Sequence, residues 1–104
     1  MKELINRPYE TDSCWEFCRD MFRTYGVTLP VLPYEGLKRI EPDEVTVPSI
    51  VLFRCGPDWH VGVVWPDGLH FVHASLEESG YVVRKERLTR WPWTVLFEGF
   101  YANA

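Results

Sequence analysis

Between residues 13 and 25 the apolar positions Cys14, Phe17, Cys18, Met21, Phe22 and Tyr25 follow one another at steps of three, one, three, one and three. That spacing keeps them on one face of a helix with 3.6 residues per turn. Asp12 or Ser13 can cap its start, because a short side-chain oxygen accepts a free backbone N–H of the first turn. Gly26 suits the C-terminal stop. The stretch "LPVLPYEG" over residues 29–36 holds two prolines and reads as a loop. "LKRIEPDEV" that follows reads as a short second helix or a turn.

After Pro48 the period changes. "SIVLFRC" is a β-branched and aromatic run, and "HVGVVW" and "LHFVHAS" flank "PDG", a strong turn signal. "YVVRKERL" and "TVLFEGFYA" read as two more strands. A helix followed by a consecutive antiparallel meander predicts an α+β domain, the helix packed on a sheet of about four to five strands.

Histidine is scarce: His60, His70 and His73 are the only three. If Pro66 and Asp67 form a two-residue loop, His60 lies directly opposite His73, close enough to touch. A three-residue loop would put the two on opposite faces unless a bulge intervened. His70 is expected at the surface or an edge.

The chain of 104 residues is one domain, residues 1–104, with 46% hydrophobic and 25% charged residues, enough apolar surface for one core. Its net charge of −4 and the lack of a Lys/Arg run argue against a nucleic-acid partner. The basic stretch "VRKERLTR" contains a glutamate and reads as a solvated strand end. Three cysteines suit reduced thiols better than a disulfide framework. No run approaches the ~18 apolar residues of a membrane span, and the N-terminus shows no signal segment. The expectation is synthesis in a cytoplasm, with any action outside the cell requiring another means of delivery.

Cys14 has a candidate chemistry. A thiol at the first turn of a helix feels the positive end of the backbone dipole, which favours thiolate. The N–H groups there can hold an oxyanion. The plainer reading is a small apolar core residue, and this is the expectation for Cys18. A helix-terminal Cys facing a sheet with one His oriented by another polar group is the layout of a cysteine nucleophile.

"DSCWEFCRDMFRTYGVTLP", then "VLFR" and "WHVGVVW", then "FVHAS" and a closing "EGFYA", together resemble the NlpC family of papain-like cysteine peptidases. The resemblance is greatest to small members in the tail tips of long-tailed phages, with their "DCWGLVR…VY…G…LP" helix. It spans nearly the whole chain and implies that fold. It also implies Cys14 as nucleophile, His60 as general base and His73 as the orienting third residue, with Tyr9 lining the site. Three departures stand out: Ser13 intervenes between Asp12 and Cys14, Glu16 replaces the glycine after Cys-Trp, and Pro48-Ser49 replaces Gly-Asp. They bear on the shape and charge of the cleft and remove no catalytic group. Tyr9, Ser13, Trp15 and Trp59 are the residues expected around the substrate, with Trp65 a further candidate wall.

The implied activity is that of a cysteine endopeptidase or amidase without a cofactor. Its implied substrate is a peptidoglycan stem peptide, cut after D-isoglutamate beside a diamino acid. Implied too are other tail-tip proteins as partners and a place in a virion tail, acting in the periplasm or cell wall. The alternative is a catalytically weak or inactive structural component of a tail or other assembly. A third reading, metal binding, would use the loosely spaced Cys55, His60, His70 and His73.

Overall fold

Ser13 caps helix α1 (Cys14–Arg23) through its Oγ, which accepts the Glu16 backbone N–H at 3.1 Å. At the other end Gly26 adopts φ +75°, and the N–H groups of Gly26 and Val27 bond to the carbonyls of Arg23 and Phe22. A left-handed residue just past a helix satisfies the last carbonyls in this way, and glycine does so without strain. The structure is a computed structural model and describes residues 1–103.

The sheet has six strands, one more than the upper expectation. These are β1 (Leu37–Ile40), β2 (Ile50–Cys55), β3 (Asp58–Val64), β4 (His70–Glu77), β5 (Gly80–Arg87) and β6 (Phe97–Asn103). Their order is β1-β6-β2-β3-β4-β5, antiparallel throughout. The meander β2 to β5 is as expected. After it the chain makes one helical turn, α2 (Trp93–Leu96), and β6 returns to lie beside β2. Residues 37–45 are not a second α-helix. Leu37–Ile40 pair with Phe100–Asn103, and only Pro42–Glu44 make a tight helical turn. The partner that makes β1 a strand lies some sixty residues further along the chain.

Both faces of the central sheet are covered, which is why β2 is a continuous apolar run instead of an alternating one. Ile50 and Leu52 face α1, packing with Phe17, Cys18, Met21 and Phe22, while Val51 and Phe53 face the other way. On that second side Phe53 and Phe71 are covered by Trp93. The Pro48-Ser49 departure is a structural fixture: Ser49 is fully buried, and its hydroxyl accepts the Thr46 N–H and donates to the Thr46 carbonyl.

The β3–β4 hairpin differs from the two-residue loop expected. Val63 pairs with Val72 and Val64 with Phe71, and the Trp65 N–H donates to the His70 carbonyl at 2.9 Å. The loop is therefore Pro66, Asp67, Gly68 and Leu69. Asp67 closes it, accepting the Leu69 and His70 backbone N–H groups at 2.8 and 3.0 Å. The same carboxylate bonds Nδ1 of His70 at 2.7 Å, so His70 is a turn-bracing residue. The register moves by two positions, which preserves the face of every side chain. His60 and His73 thus share a face as diagonal, not directly opposed, neighbours.

Candidate active site

Nε2 of His60 and Nδ1 of His73 stand 2.7 Å apart, a good hydrogen bond. Both rings lie on the sheet face away from α1. His73 is buried, packed against Phe71, and His60 lies near Phe53. Trp93 closes over both, nearly parallel to His60 at 5.9 Å between ring centres and edge-on to His73 at 5.2 Å. Burial pushes the pKa of His60 down to about 4, with His73 adding to the effect. His73 is pushed down to about 4 as well, chiefly by burial; the Glu77 carboxylate works against this and the Arg84 guanidinium with it. Removing an imidazolium from water is costly, so both rings are neutral at pH 7. Beyond His60, Nε2 of His73 lies 3.3 Å from Oε2 of Glu86 on β5.

Gly62, two residues after His60, makes this packing possible. A Cβ there would fall 2.7 Å from Cδ2 of Phe71, 2.9 Å from the Val72 carbonyl and 3.4 Å from Cβ of His73.

Cys14 is the first residue of α1, half-buried, and packs against the core on the helix side. Among the described residues its thiol makes no hydrogen bond to either histidine. It is therefore brought to the sheet that carries them without a hydrogen bond to either ring. The β3–β4 ladder extends only over Val63–Val72 and Val64–Phe71, so the sheet is not hydrogen-bonded beside His60. Cys18 is fully buried one turn along, and burial pushes its thiol pKa well up. Cys55 lies on the histidine face, its thiol also raised by burial, with the Asp58 carboxylate acting in the same sense.

The expected cleft residues separate. Ser13 is the helix cap. Tyr9 packs edge-on to Phe17 at 5.1 Å and donates its hydroxyl to Asp20 at 2.8 Å, one to two turns along α1 from Cys14. Its pKa rises to about 12, first through burial and then through Asp20. Trp15 is only 3% exposed, and its indole N–H donates to the Pro30 carbonyl at 3.1 Å, so it is core and offers no wall to a ligand. Trp59 is exposed and lines an apolar cavity of about 290 Å³ with Tyr34, Leu37, Leu52 and Tyr101. Tyr34 in turn packs on Trp15, which places this cavity on the α1 side of the sheet. Trp65 carries the Lys85 ammonium at 4.3 Å over its ring. Glu16 holds Arg19 through two bonds of 2.9 and 3.0 Å.

Glu86 and Trp93 were missed by sequence reasoning. The available signal for Glu86 was the alternation of "VRKERL", which puts Arg84 and Glu86 on the His73 face once His73 is paired with Arg84. No cluster of three or more candidate metal ligands occurs among the described residues. The two histidine nitrogens point at each other at 2.7 Å, which leaves no room for an ion between them. No described helix is long and apolar enough to cross a membrane.

This α+β architecture has a solved counterpart. A Staphylococcus aureus protein described as similar to a lipoprotein of the NLP/P60 family matches 97% of this chain with a TM-score of 0.73 and 16% sequence identity. The match spans 38% of that protein's chain, so the two share a fold over a little more than a third of its length. No family model matches the chain, and no curated protein matches it in sequence.

Proposed function

We propose that the chain is a thiol peptidase of the NlpC kind that hydrolyses amide bonds in peptidoglycan stem peptides. The observation that carries this reading is the His60–His73 pair bonded at 2.7 Å, His73 buried and His60 half-buried, on a fold shared with an NLP/P60 protein. A structural sheet has little use for two desolvated imidazoles, whereas a general base needs one held in a fixed orientation. Cys14 at the start of α1 is the nucleophile. With Nε2 of His60 engaged by His73, Nδ1 is the nitrogen left for the thiol proton.

In the reaction the Cys14 sulfur attacks the amide carbonyl as its proton passes to His60. Backbone N–H groups at the start of α1 hold the oxyanion. The imidazolium returns the proton to the leaving amine as the C–N bond breaks. Water then cleaves the thioester, giving its proton to His60 and restoring the thiol. Among the described residues the Cys14 thiol makes no hydrogen bond to His60, so the reaction requires substrate binding to bring the thiol within reach of Nδ1 of His60. The Trp59–Tyr34–Leu52 cavity takes an apolar group of the substrate. Delivery by a phage tail tip is part of the proposal and rests on the likeness of the Cys14 helix to the tail-tip peptidases.

The test is incubation of the purified protein with defined stem peptides, read by mass spectrometry for paired amine and carboxylate fragments. Cleavage by the native protein and none by Cys14→Ala or His60→Ala is expected. Cleavage that survives Cys14→Ala overturns the assignment. The absence of a Cys14–His60 hydrogen bond favours a second reading, a structural component on a peptidase fold. That reading prevails if the native protein cleaves no stem peptide.

A further inference from the structure

We infer that Glu86 is a positioning residue, fixing which nitrogen of His60 is free to accept a proton by acting through His73. This deepens the proposed function, and the experiment below separates the two.

The geometry is a chain of three groups. Nε2 of His73 faces Oε2 of Glu86 at 3.3 Å, and Nδ1 of His73 faces Nε2 of His60 at 2.7 Å. An ionised carboxylate can only accept, so it selects the form of His73 that carries hydrogen on Nε2. A neutral His73 then has a bare Nδ1, which must accept from His60. His60 is thereby held with hydrogen on Nε2 and a bare Nδ1. Without the carboxylate the neutral pair has two arrangements, because either ring can donate to the other. In the reversed arrangement Nδ1 of His60 carries hydrogen and cannot serve as a base. At 3.3 Å the Glu86 contact is longer than a strong charge-assisted bond of about 2.7–2.9 Å. It therefore orients His73 without sharing its proton.

The neighbouring charges leave Glu86 available for this task. Arg84 stands directly opposite His73 in the β4–β5 ladder and is the nearest competitor for a carboxylate. Its guanidinium is already held by Glu77 through two bonds of 2.7 Å and by Asn6 Oδ1 at 3.0 Å. Glu86 has no ion-pair partner other than His73 among the described residues. The charged groups around His73 are thus Glu86 on its Nε2, with Arg84 and Glu77 paired to each other.

The experiment is nitrogen-15 NMR of the histidine side chains at pH 7 in the native protein, Glu86→Ala and Glu86→Gln. Backbone amide spectra show that each variant is folded. In the native protein both His60 and His73 are expected with hydrogen on Nε2 and a bare Nδ1. Glu86→Ala is expected to give averaged shifts at both rings, the mark of mixed tautomers. Glu86→Gln, which keeps an acceptor oxygen, is expected to restore the native pattern in part. Unmixed native tautomers in Glu86→Ala would overturn the inference, as would hydrogen on Nδ1 of His73 in the native protein. Because the readout needs no turnover, it stands even if stem peptides are not cleaved. Where they are cleaved, Glu86→Ala is expected to lower kcat by about tenfold with KM unchanged. An unchanged kcat alongside mixed tautomers would also overturn the role in positioning the base.

Discussion

Gly62 and Phe71 approach so closely that a Cβ on the glycine would lie 2.7 Å from Cδ2 of the phenylalanine. The same Cβ would press on the Val72 carbonyl and on Cβ of His73. The backbone carbonyl cannot swing aside as a side chain can. Gly62→Ala is therefore expected to lower stability by about 1–3 kcal/mol, the usual cost of overpacking. Denaturant unfolding followed by tryptophan fluorescence measures this. A loss below a few tenths of a kcal/mol would mean that Phe71 and β4 shift freely. His73 would then be less tightly placed than its packing indicates.

The elements legible in the sequence are those whose signal is local. Helix α1 shows in the steps from Cys14 to Phe22, and β2 to β5 show in apolar runs separated by turn residues. Strand β1 was not legible, because "LKRI" becomes a strand only by pairing with residues 100–103. The Pro-Asp-Gly turn was visible but its length was not, since two hydrogen bonds to the Asp67 carboxylate set where the loop closes. In the candidate site Cys14, His60 and His73 stood out by residue type and order. Glu86 was hidden in a basic run whose facing depends on strand register. Trp93 reaches the histidines only because α2 and β6 fold back beside β2. The fold carries Cys14 close to the sheet, but no pattern in the sequence could say whether its thiol touches His60.

Thiol reactivity should follow burial and position. Cys18 is fully enclosed with its thiol pKa raised, and Cys55 is raised by burial and by Asp58. Cys14 is half-buried at the start of α1. Iodoacetamide labelling of the native protein at pH 7.5 (the assay condition, about one unit below a free thiol's pKa) should modify Cys14 first, Cys55 slowly and Cys18 only on unfolding. Peptide mass spectrometry resolves the three sites. Labelling of Cys55 ahead of Cys14 would identify Cys55, which shares the histidine face, as the thiol to test in catalysis.

Trp59 forms one wall of the apolar cavity, its ring also carrying the Arg54 guanidinium at 5.1 Å. It is exposed, so removing it leaves the core intact. Trp59→Ala should raise KM for a cleaved stem peptide by about tenfold, the worth of roughly 1.4 kcal/mol of lost contact. The kcat should change little, because the cavity lies on the α1 side and does not touch the histidine pair. Steady-state kinetics separates the two effects. A fall in kcat with KM unchanged would place Trp59 in support of His60, its sequence neighbour, and not in substrate contact.

The two histidines also make stability depend on pH. Both have native pKa values near 4, below the 6.5 of an unfolded histidine. Below pH 6.5 the unfolded chain takes up protons that the folded chain refuses, so stability falls as pH falls. The stabilisation is fully present above pH 6.5 and is lost on descending to about pH 4. A shift of this size in one histidine corresponds to about 3 kcal/mol, and coupling makes the pair worth less than twice that. Activity that uses His60 as a base should likewise persist on the acid side until pH nears 4. Trp93 keeps water from both rings, so Trp93→Ala should move their pKa values back towards 6.5 and start the acid loss at higher pH. Proton NMR titration of the two imidazoles, native against variant, reads this directly. Native titration near 6.5 would mean that water already reaches the pair, and that burial does not keep it neutral.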